Sequence, residues 1–248
     1  MSYKTILYDV TAGIALITLN RPDALNSLNS MVLLEVTSAV QTAGVDNDVN
    51  VIILTGAGRA FCAGVDLKSL GNSKDTDVIP KLNNAARDLQ IAIETVPKVV
   101  IAAVNGFCLT GGLEIALTCD LIVVANEARI GDTHTKWGLR CTWGMSQRLP
   151  YRVGELKAHE MTYTADMISG VEAEKIGLVN RSVPLDQLET TVRELAGKIA
   201  ANSRDAVAAH KLLYTQSRQE TISQGLKREY STLPRIKDTA HLLGEFVK

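Results

Sequence analysis

The stretch KVVIAAVNGFCLTGGLEIALTCDLIVVANE, residues 98–127, joins two apolar runs through a segment that contains paired glycines. The runs 98–106 and 120–127 are rich in valine and isoleucine and nearly continuous, as in strands covered on both faces. Segment 111–119 between them has an apolar pattern typical of a short helix. A strand, a helix and a second strand in this order predict parallel pairing in an α/β domain.

The same alternation extends in both directions from this stretch. Upstream, residues 13–20 and 49–56 form further strand-like runs, and helical patterns cover 27–43 and roughly 80–96. Downstream of Pro150 the helical patterns dominate, over 154–166, 171–177, 185–201 and much of 204–246. We therefore expect an α/β core over residues 1–195 and a helical C-terminal region over residues 196–248.

One carboxylate, Glu114, stands in the apolar pattern of segment 111–119. Burying a carboxylate is costly unless a partner compensates for it. The start of a helix offers such compensation, because its free N–H groups and positive dipole end favour negative charge. The Gly111 amide could bind a developing oxyanion while Glu114 transfers a proton. A simple helix-capping role for Glu114 explains the acid equally well.

A second glycine-containing turn, GRAFCAGVDLKSL at residues 58–70, follows the strand-like run 49–56. Ala63 and Gly64 precede a helix-like segment there, so backbone amides can point outward at a ligand. A plain tight turn that caps a strand is the alternative.

The segment IGDTHTKWGLRCTWGMSQRLP, residues 130–150, holds a candidate acid/base pair. Asp132 and His134 are two residues apart, so in an extended segment both side chains face one way. Histidine titrates near neutral pH, which suits proton transfer, although a structural hydrogen bond explains the pair as well. Trp137 and Trp143 are candidates to line an apolar pocket, and core packing is the alternative.

Composition narrows the function classes. The 248 residues are 46% hydrophobic and 21% charged, with a formal net charge of −1. This balance gives no electrostatic basis for binding nucleic acid or a membrane surface, so small-molecule or protein partners are favoured.

The four cysteines show no CxxC pair or metal-ligand spacing, so we expect neither a metal site nor a disulfide framework. The N-terminal residues do not have the pattern of an export signal, and no run is long and apolar enough to span a membrane. We expect a protein of the cytoplasm.

Five segments, taken in order, resemble the enoyl-CoA hydratase/isomerase family, also called the crotonases. They are TLNRPDALNSLN (18–29), VIILTGAGRAFCAGVDLKSL (51–70), PKVVIAAVNGFCLTGGLEIALTCDLIVVANEARIG (97–131), GMSQRLPYRVG (144–154) and GVEAEKIGLVNRSVP (170–184). The resemblance implies a spiral of ββα units with a helical C-terminal region, assembled as a trimer or a dimer of trimers. It also implies an acyl-CoA thioester as substrate and no separate cofactor.

The resemblance assigns roles to particular residues. The family's oxyanion hole falls on the backbone amides of Ala63 and Gly111, and the first of its two catalytic glutamates falls on Glu114. The implied CoA contacts are Leu25, Val65, Asp66 and Leu67.

The second catalytic glutamate does not match. Hydratases have Phe-Gly-x-Pro-Glu where this chain has residues 130–134, so His134 takes the place of that glutamate. The following turn, residues 140–145, also departs from the family's proline- and glycine-rich sequence. We expect a hydratase-type lyase in which Glu114 activates water for attack at the β-carbon. His134, or Asp132 through water, would transfer the proton at the α-carbon.

Three alternatives stay open. An isomerase needs one proton shuttle, which Glu114 alone could provide. A hydrolase or a C–C-cleaving enzyme could use His134 as its base. A binding protein with degraded catalysis would keep both loops and lose the catalytic pair.

Overall fold

The computed structural model describes residues 3–71, 76–218, 220–231 and 236–246. Within these ranges ten strands form two sheets. The larger sheet has, in spatial order, β1 (Ile6–Thr11), β2 (Ile14–Leu19), β3 (Val51–Gly56), β5 (Val99–Val104), β7 (Leu121–Ala125) and β10 (Arg181–Val183). Its first two strands form an antiparallel hairpin and all its other neighbours are parallel.

The smaller sheet lies beside the larger one and consists of very short strands. In spatial order they are β4 (Ala60–Cys62), β6 (Phe107–Leu109), β8 (Arg129–Gly131) and β9 (Ile168–Ser169). Strands β4, β6 and β8 pair in parallel, and β9 is antiparallel to β8.

Helices cover the two sheets and form the C-terminal region. They are α1 (Ser30–Val45), α2 (Leu67–Gly71), α3 (Val78–Thr95), α4 (Gly111–Thr118), α5 (Met145–Val153), α6 (Glu155–Thr164), α7 (Gly170–Lys175), α8 (Leu188–Ala200), α9 (Arg204–Ser217), α10 (Ile222–Ser231) and α11 (Thr239–Phe246). No helix in the described ranges combines the length and the apolarity needed to cross a bilayer.

The chain alternates between the two sheets, which confirms the predicted spiral of ββα units. It passes from β3 to β4 and then to α2 and α3, and from β5 to β6 and then to α4. An inner strand of the large sheet is covered on both faces, and β3 accordingly has four consecutive buried residues, Val51 to Leu54. The near-continuous apolar runs in the sequence have this origin.

The spiral brings three loops together. Because β4, β6 and β8 are parallel neighbours, the segments that follow their carboxyl ends meet at one edge of the small sheet. These segments begin at residues 63, 110 and 132 and contain most of the predicted site residues.

The four predicted strands correspond to β2, β3, β5 and β7, and the predicted parallel pairing is confirmed. The other six strands, β1, β4, β6, β8, β9 and β10, were not predicted from the sequence. All of these except β1 have only two or three residues, which is too few to show a measurable periodicity. The division of the chain at residue 195 stays a prediction, although that position falls within α8, which packs on β3, β5 and β7.

Candidate active site

The implied CoA contacts lie on two loops, a first loop around Leu25 and a second loop around residues 63–67, and these loops are joined to each other. Arg21 bonds Asp66 with 2.8 Å between Nη2 and Oδ2, and Leu28 and Val65 form an isolated parallel bridge. Burial acts to raise the pKa of Asp66, but the hydrogen bond and charge of Arg21 outweigh it and hold this pKa below its ordinary value. Leu25 and Val65 are half-buried in this joint surface, whereas Leu67 is exposed.

Asn26 fixes the shape of the first loop. Its side chain is 1% exposed, and its φ of 55° is a left-handed conformation that asparagine tolerates better than most residues. Oδ1 accepts from the Arg21 amide at 2.9 Å, and Nδ2 donates to the carbonyls of Ala57 and Ala60 at 2.9 and 2.7 Å. One buried side chain therefore connects the first loop to the turn between β3 and β4.

Replacing Asn26 by alanine is expected to lower the free energy of unfolding by about 2–4 kcal/mol. The substitution leaves buried backbone groups without partners and strains the left-handed backbone at this position. Chemical denaturation measures the loss, with Asn47→Ala at an exposed position as control. A loss equal to that of the control would contradict the role given to Asn26.

The Ala63 amide is already engaged, which argues against its predicted role in an oxyanion hole. It donates to the carbonyl oxygen of Leu25 at 3.0 Å and so helps to join the two loops. The chain turns at Gly64, which has a φ of 99°, and the amide after this turn, that of Val65, is the alternative donor. In the described part of the chain, neither the Val65 amide nor the Gly111 amide has a hydrogen-bond acceptor.

Helix α4 positions Glu114. The helix begins at Gly111, all eight of its residues are buried, and Glu114 lies in its first turn at 2% exposure. Glu114 Oε1 accepts from the amides of Trp143 and Met145 at 2.9 and 3.1 Å, which fixes the carboxylate and leaves Oε2 facing His134. Burial raises the pKa of Glu114, and the two amides and His134 offset only part of that rise.

Asp132 and His134 form a direct pair, as their spacing suggested, but a turn and not an extended segment brings them together. His134 has φ −57° and ψ −47°, which is helical backbone. Its Nδ1 lies 2.5 Å from Asp132 Oδ1, and the Thr162 hydroxyl donates to Asp132 Oδ2 at 2.8 Å. Both oxygens of Asp132 are therefore occupied, and His134 Nε2 is the ring nitrogen left to act.

The three titratable groups form a row. Glu114 Oε2 and His134 Nε2 are 3.8 Å apart, and Asp132 lies behind the imidazole. Burial acts to lower the pKa of His134, but the hydrogen bond and charge of Asp132, and the charge of Glu114, outweigh burial and raise it. Burial likewise acts to raise the pKa of Asp132, but the hydrogen bonds from His134 and Thr162 hold it below its ordinary value. The arrangement favours an imidazolium between two carboxylates.

The two tryptophans lie in different environments. Trp143 is 4% exposed, and its indole lies so close to Gly111 that a β-carbon there would approach Cζ3 to 2.7 Å. Its Nε1 donates to Asn83 Oδ1 at 2.8 Å, which fixes the ring. Trp137 is 59% exposed on a 3-10 turn, so the described structure contradicts its predicted place in an apolar pocket.

Sequence reasoning missed Thr162 and the Val65 amide as parts of the site. Thr162 lies on α6, far along the chain from Asp132, and no local pattern links the two. Among the described residues the Val65 amide is free, whereas the Ala63 amide donates to the Leu25 carbonyl. This difference depends on the packing of two loops that are distant in the chain.

Comparisons with known proteins place the chain in one family. The sequence profile of the family Enoyl-CoA hydratase/isomerase matches residues 9–243. The chain is 38% identical over 229 residues to a probable enoyl-CoA hydratase of Mycobacterium leprae (strain TN). The aligned residues cover 92% of this chain and 88% of the relative. It is 35% identical to a crotonyl-CoA hydratase of Syntrophomonas wolfei, with coverage of 92% and 88%.

A solved structure shows the same fold. The enoyl-CoA hydratase of Bacillus anthracis superimposes with a TM-score of 0.92 at 35% identity, covering 98% of this chain and 96% of that one. The profile match and the relatives each extend over most of the chain. The chain therefore belongs to the enoyl-CoA hydratase/isomerase family.

Proposed function

We propose that the protein is an enoyl-CoA hydratase, which adds water across the α,β double bond of an acyl-CoA thioester. The observation that carries the proposal is the 3.8 Å separation between Glu114 Oε2 and His134 Nε2 in a buried site. Hydration needs two proton-transferring groups around one water, whereas isomerisation needs only one. The hydratase names of the relatives support the same choice.

The thioester oxygen is held by the amides of Gly111 and Val65. Gly111 begins α4, so its N–H has no partner within the helix and the helix dipole adds to its attraction for negative charge. Val65 replaces Ala63 as the second donor because the Ala63 amide is bonded to Leu25. Donors fixed in advance in this way stabilise an enolate without reorganisation during the reaction.

The proposed reaction consists of three proton transfers around the addition of hydroxide. Glu114 Oε2 takes a proton from water, and the hydroxide oxygen bonds to the β-carbon while the thioester becomes an enolate. The His134 imidazolium then gives its Nε2 proton to the α-carbon, and the enolate collapses to the thioester. Transfer of the proton from Glu114 to His134 restores the starting state, so the net change is addition of one water.

Asp132 acts through His134 and not on the substrate. It holds the imidazole by Nδ1, so Nε2 faces Glu114, and its charge stabilises the imidazolium. Thr162 in turn fixes Asp132. We assign Asp132 and Thr162 as positioning residues, and Glu114 and His134 as catalytic residues.

Trp143 borders the acyl chain, because its indole lies against Gly111, whose amide binds the thioester oxygen in this proposal. Trp143→Ala is expected to raise the ratio of kcat/KM for octenoyl-CoA to that for crotonyl-CoA by about tenfold, since it opens space for several methylene groups. Steady-state kinetics with both substrates measure the ratio. Trp137→Ala, at an exposed indole, is the control, and an unchanged ratio in Trp143→Ala would remove Trp143 from the acyl site.

The proposal includes assembly as a trimer or a dimer of trimers in the cytoplasm. Exposed apolar side chains on the C-terminal helices support self-association: Ile222, Leu226, Tyr230, Leu242 and Leu243.

Hydration of crotonyl-CoA by the purified protein tests the proposed function. The expected result is loss of the enoyl-thioester absorbance with formation of hydroxybutyryl-CoA. Binding of crotonyl-CoA without any loss of absorbance would sink the hydratase assignment and direct attention to a ligand-binding role.

A further inference from the structure

Thr110 has a backbone conformation that its side chain disfavours. Its φ of 46° and ψ of −117° lie in a region suited to glycine, and threonine is β-branched. The residue is held there from both sides, because its amide donates to Gly131 O at 3.1 Å and its carbonyl accepts from the Glu114 amide at 2.9 Å. Strained residues persist mostly at functional sites, where the side chain or the backbone has a task.

The hydroxyl of Thr110 lies against Gly64, close to the residues that carry the two amides of the proposed oxyanion hole. Thr110 immediately precedes Gly111, and a β-carbon on Gly64, the residue before Val65, would meet Thr110 Oγ1 at 1.9 Å. The φ of 99° at Gly64 also restricts that position to glycine. Because Gly64 has no side chain, the Thr110 hydroxyl can occupy the space beside it.

This hydroxyl has a hydrogen to donate. Across the described residues this hydroxyl makes no hydrogen bond, and Thr110 does not cap α4 with its side chain. The fully enclosed polar atoms that have no partner belong to Tyr8, Asn50, Gln216 and Glu220, so the Thr110 hydroxyl is not one of them. An unpartnered hydroxyl on a strained residue that is 9% exposed, and that adjoins Gly111 in the chain and Gly64 in space, can donate to a ligand in the site.

We propose that the Thr110 hydroxyl is a third donor to the thioester oxygen and thus a catalytic residue, an inference that rests on the proposed function. Its O–H bond would point at the charge that develops as the enolate forms. The strained backbone is retained because it aims this hydroxyl between Val65 and Gly111.

Three variants of the full-length protein test the proposal by crotonyl-CoA hydration. Thr110→Val keeps the shape without the hydroxyl, and kcat is expected to fall by about tenfold or more with a smaller change in KM. Thr110→Ser keeps the hydroxyl and should stay within about threefold of the original kcat. Thr110→Gly removes both hydroxyl and strain, so Tm should rise while kcat falls. Unchanged kcat in Thr110→Gly would overturn the proposal.

A second readout does not require turnover. In the Glu114→Gln background, crotonyl-CoA with a ¹³C-labelled thioester carbonyl can be bound and its stretching frequency measured by infrared difference spectroscopy. Loss of a donor weakens the polarisation of the carbonyl, so adding Thr110→Val should raise the frequency. An identical frequency with and without the hydroxyl would overturn the proposal even if the protein proves not to be a hydratase.

Discussion

Glu114→Gln is expected to lower kcat for crotonyl-CoA hydration by about 10³-fold while binding of the CoA ester is retained. The carboxylate is the base in this account, and glutamine cannot accept the proton. The side-chain amide oxygen can still accept from the Trp143 and Met145 amides, so the local structure is preserved. Removing a buried charge should leave the free energy of unfolding unchanged or higher.

Steady-state kinetics give kcat, and a thermal shift with crotonyl-CoA reports binding. Glu155→Gln is the matched control, because Glu155 also lies in the first turn of a helix but is exposed and outside the site. Retention of more than a tenth of the original kcat in Glu114→Gln would show that another group activates the water.

The activity is also expected to depend on the imidazolium form of His134. Asp132 and Glu114 raise the pKa of His134, so the proton stays on the ring above the ordinary value of about 6.5. Activity then falls as the pH rises through this raised pKa. On the acid side, activity falls as the pH drops through the raised pKa of Glu114, because the base becomes protonated.

Asp132→Asn removes the charge behind the imidazole, so the pKa of His134 should fall and the alkaline limb of the kcat profile should move to lower pH. We expect kcat at neutral pH to fall by about 100-fold in this variant. His134→Gln should abolish the alkaline limb altogether. His159→Gln, at an exposed histidine on α6, is the control. An alkaline limb at the original pH in Asp132→Asn would assign His134 a structural role.

Much of the fold could be predicted because the large sheet leaves a clear mark on the sequence. Strands β2, β3, β5 and β7 are covered on both faces, and this burial produces their continuous apolar runs. The short strands of the second sheet produce no such mark. Their presence followed only from the resemblance to the family.

The site was predicted unevenly, for a physical reason. Glu114 was apparent because a carboxylate in an apolar helix needs a local explanation. The hydrogen bond from Ala63 to Leu25 and the support of Asp132 by Thr162 join residues that are distant in the chain. Contacts of this kind depend on tertiary packing, and one sequence carries no signal for them.

In the proposed reaction Glu114 and His134 direct water to the β-carbon and not to the thioester carbonyl. The most direct test incubates the protein with crotonyl-CoA while the enoyl absorbance and the free CoA thiol are followed together. We expect the enoyl absorbance to disappear with no release of thiol, and hydroxybutyryl-CoA to be the product. Thiol release at the rate at which the absorbance falls would contradict hydration at the β-carbon and identify a thioester hydrolase.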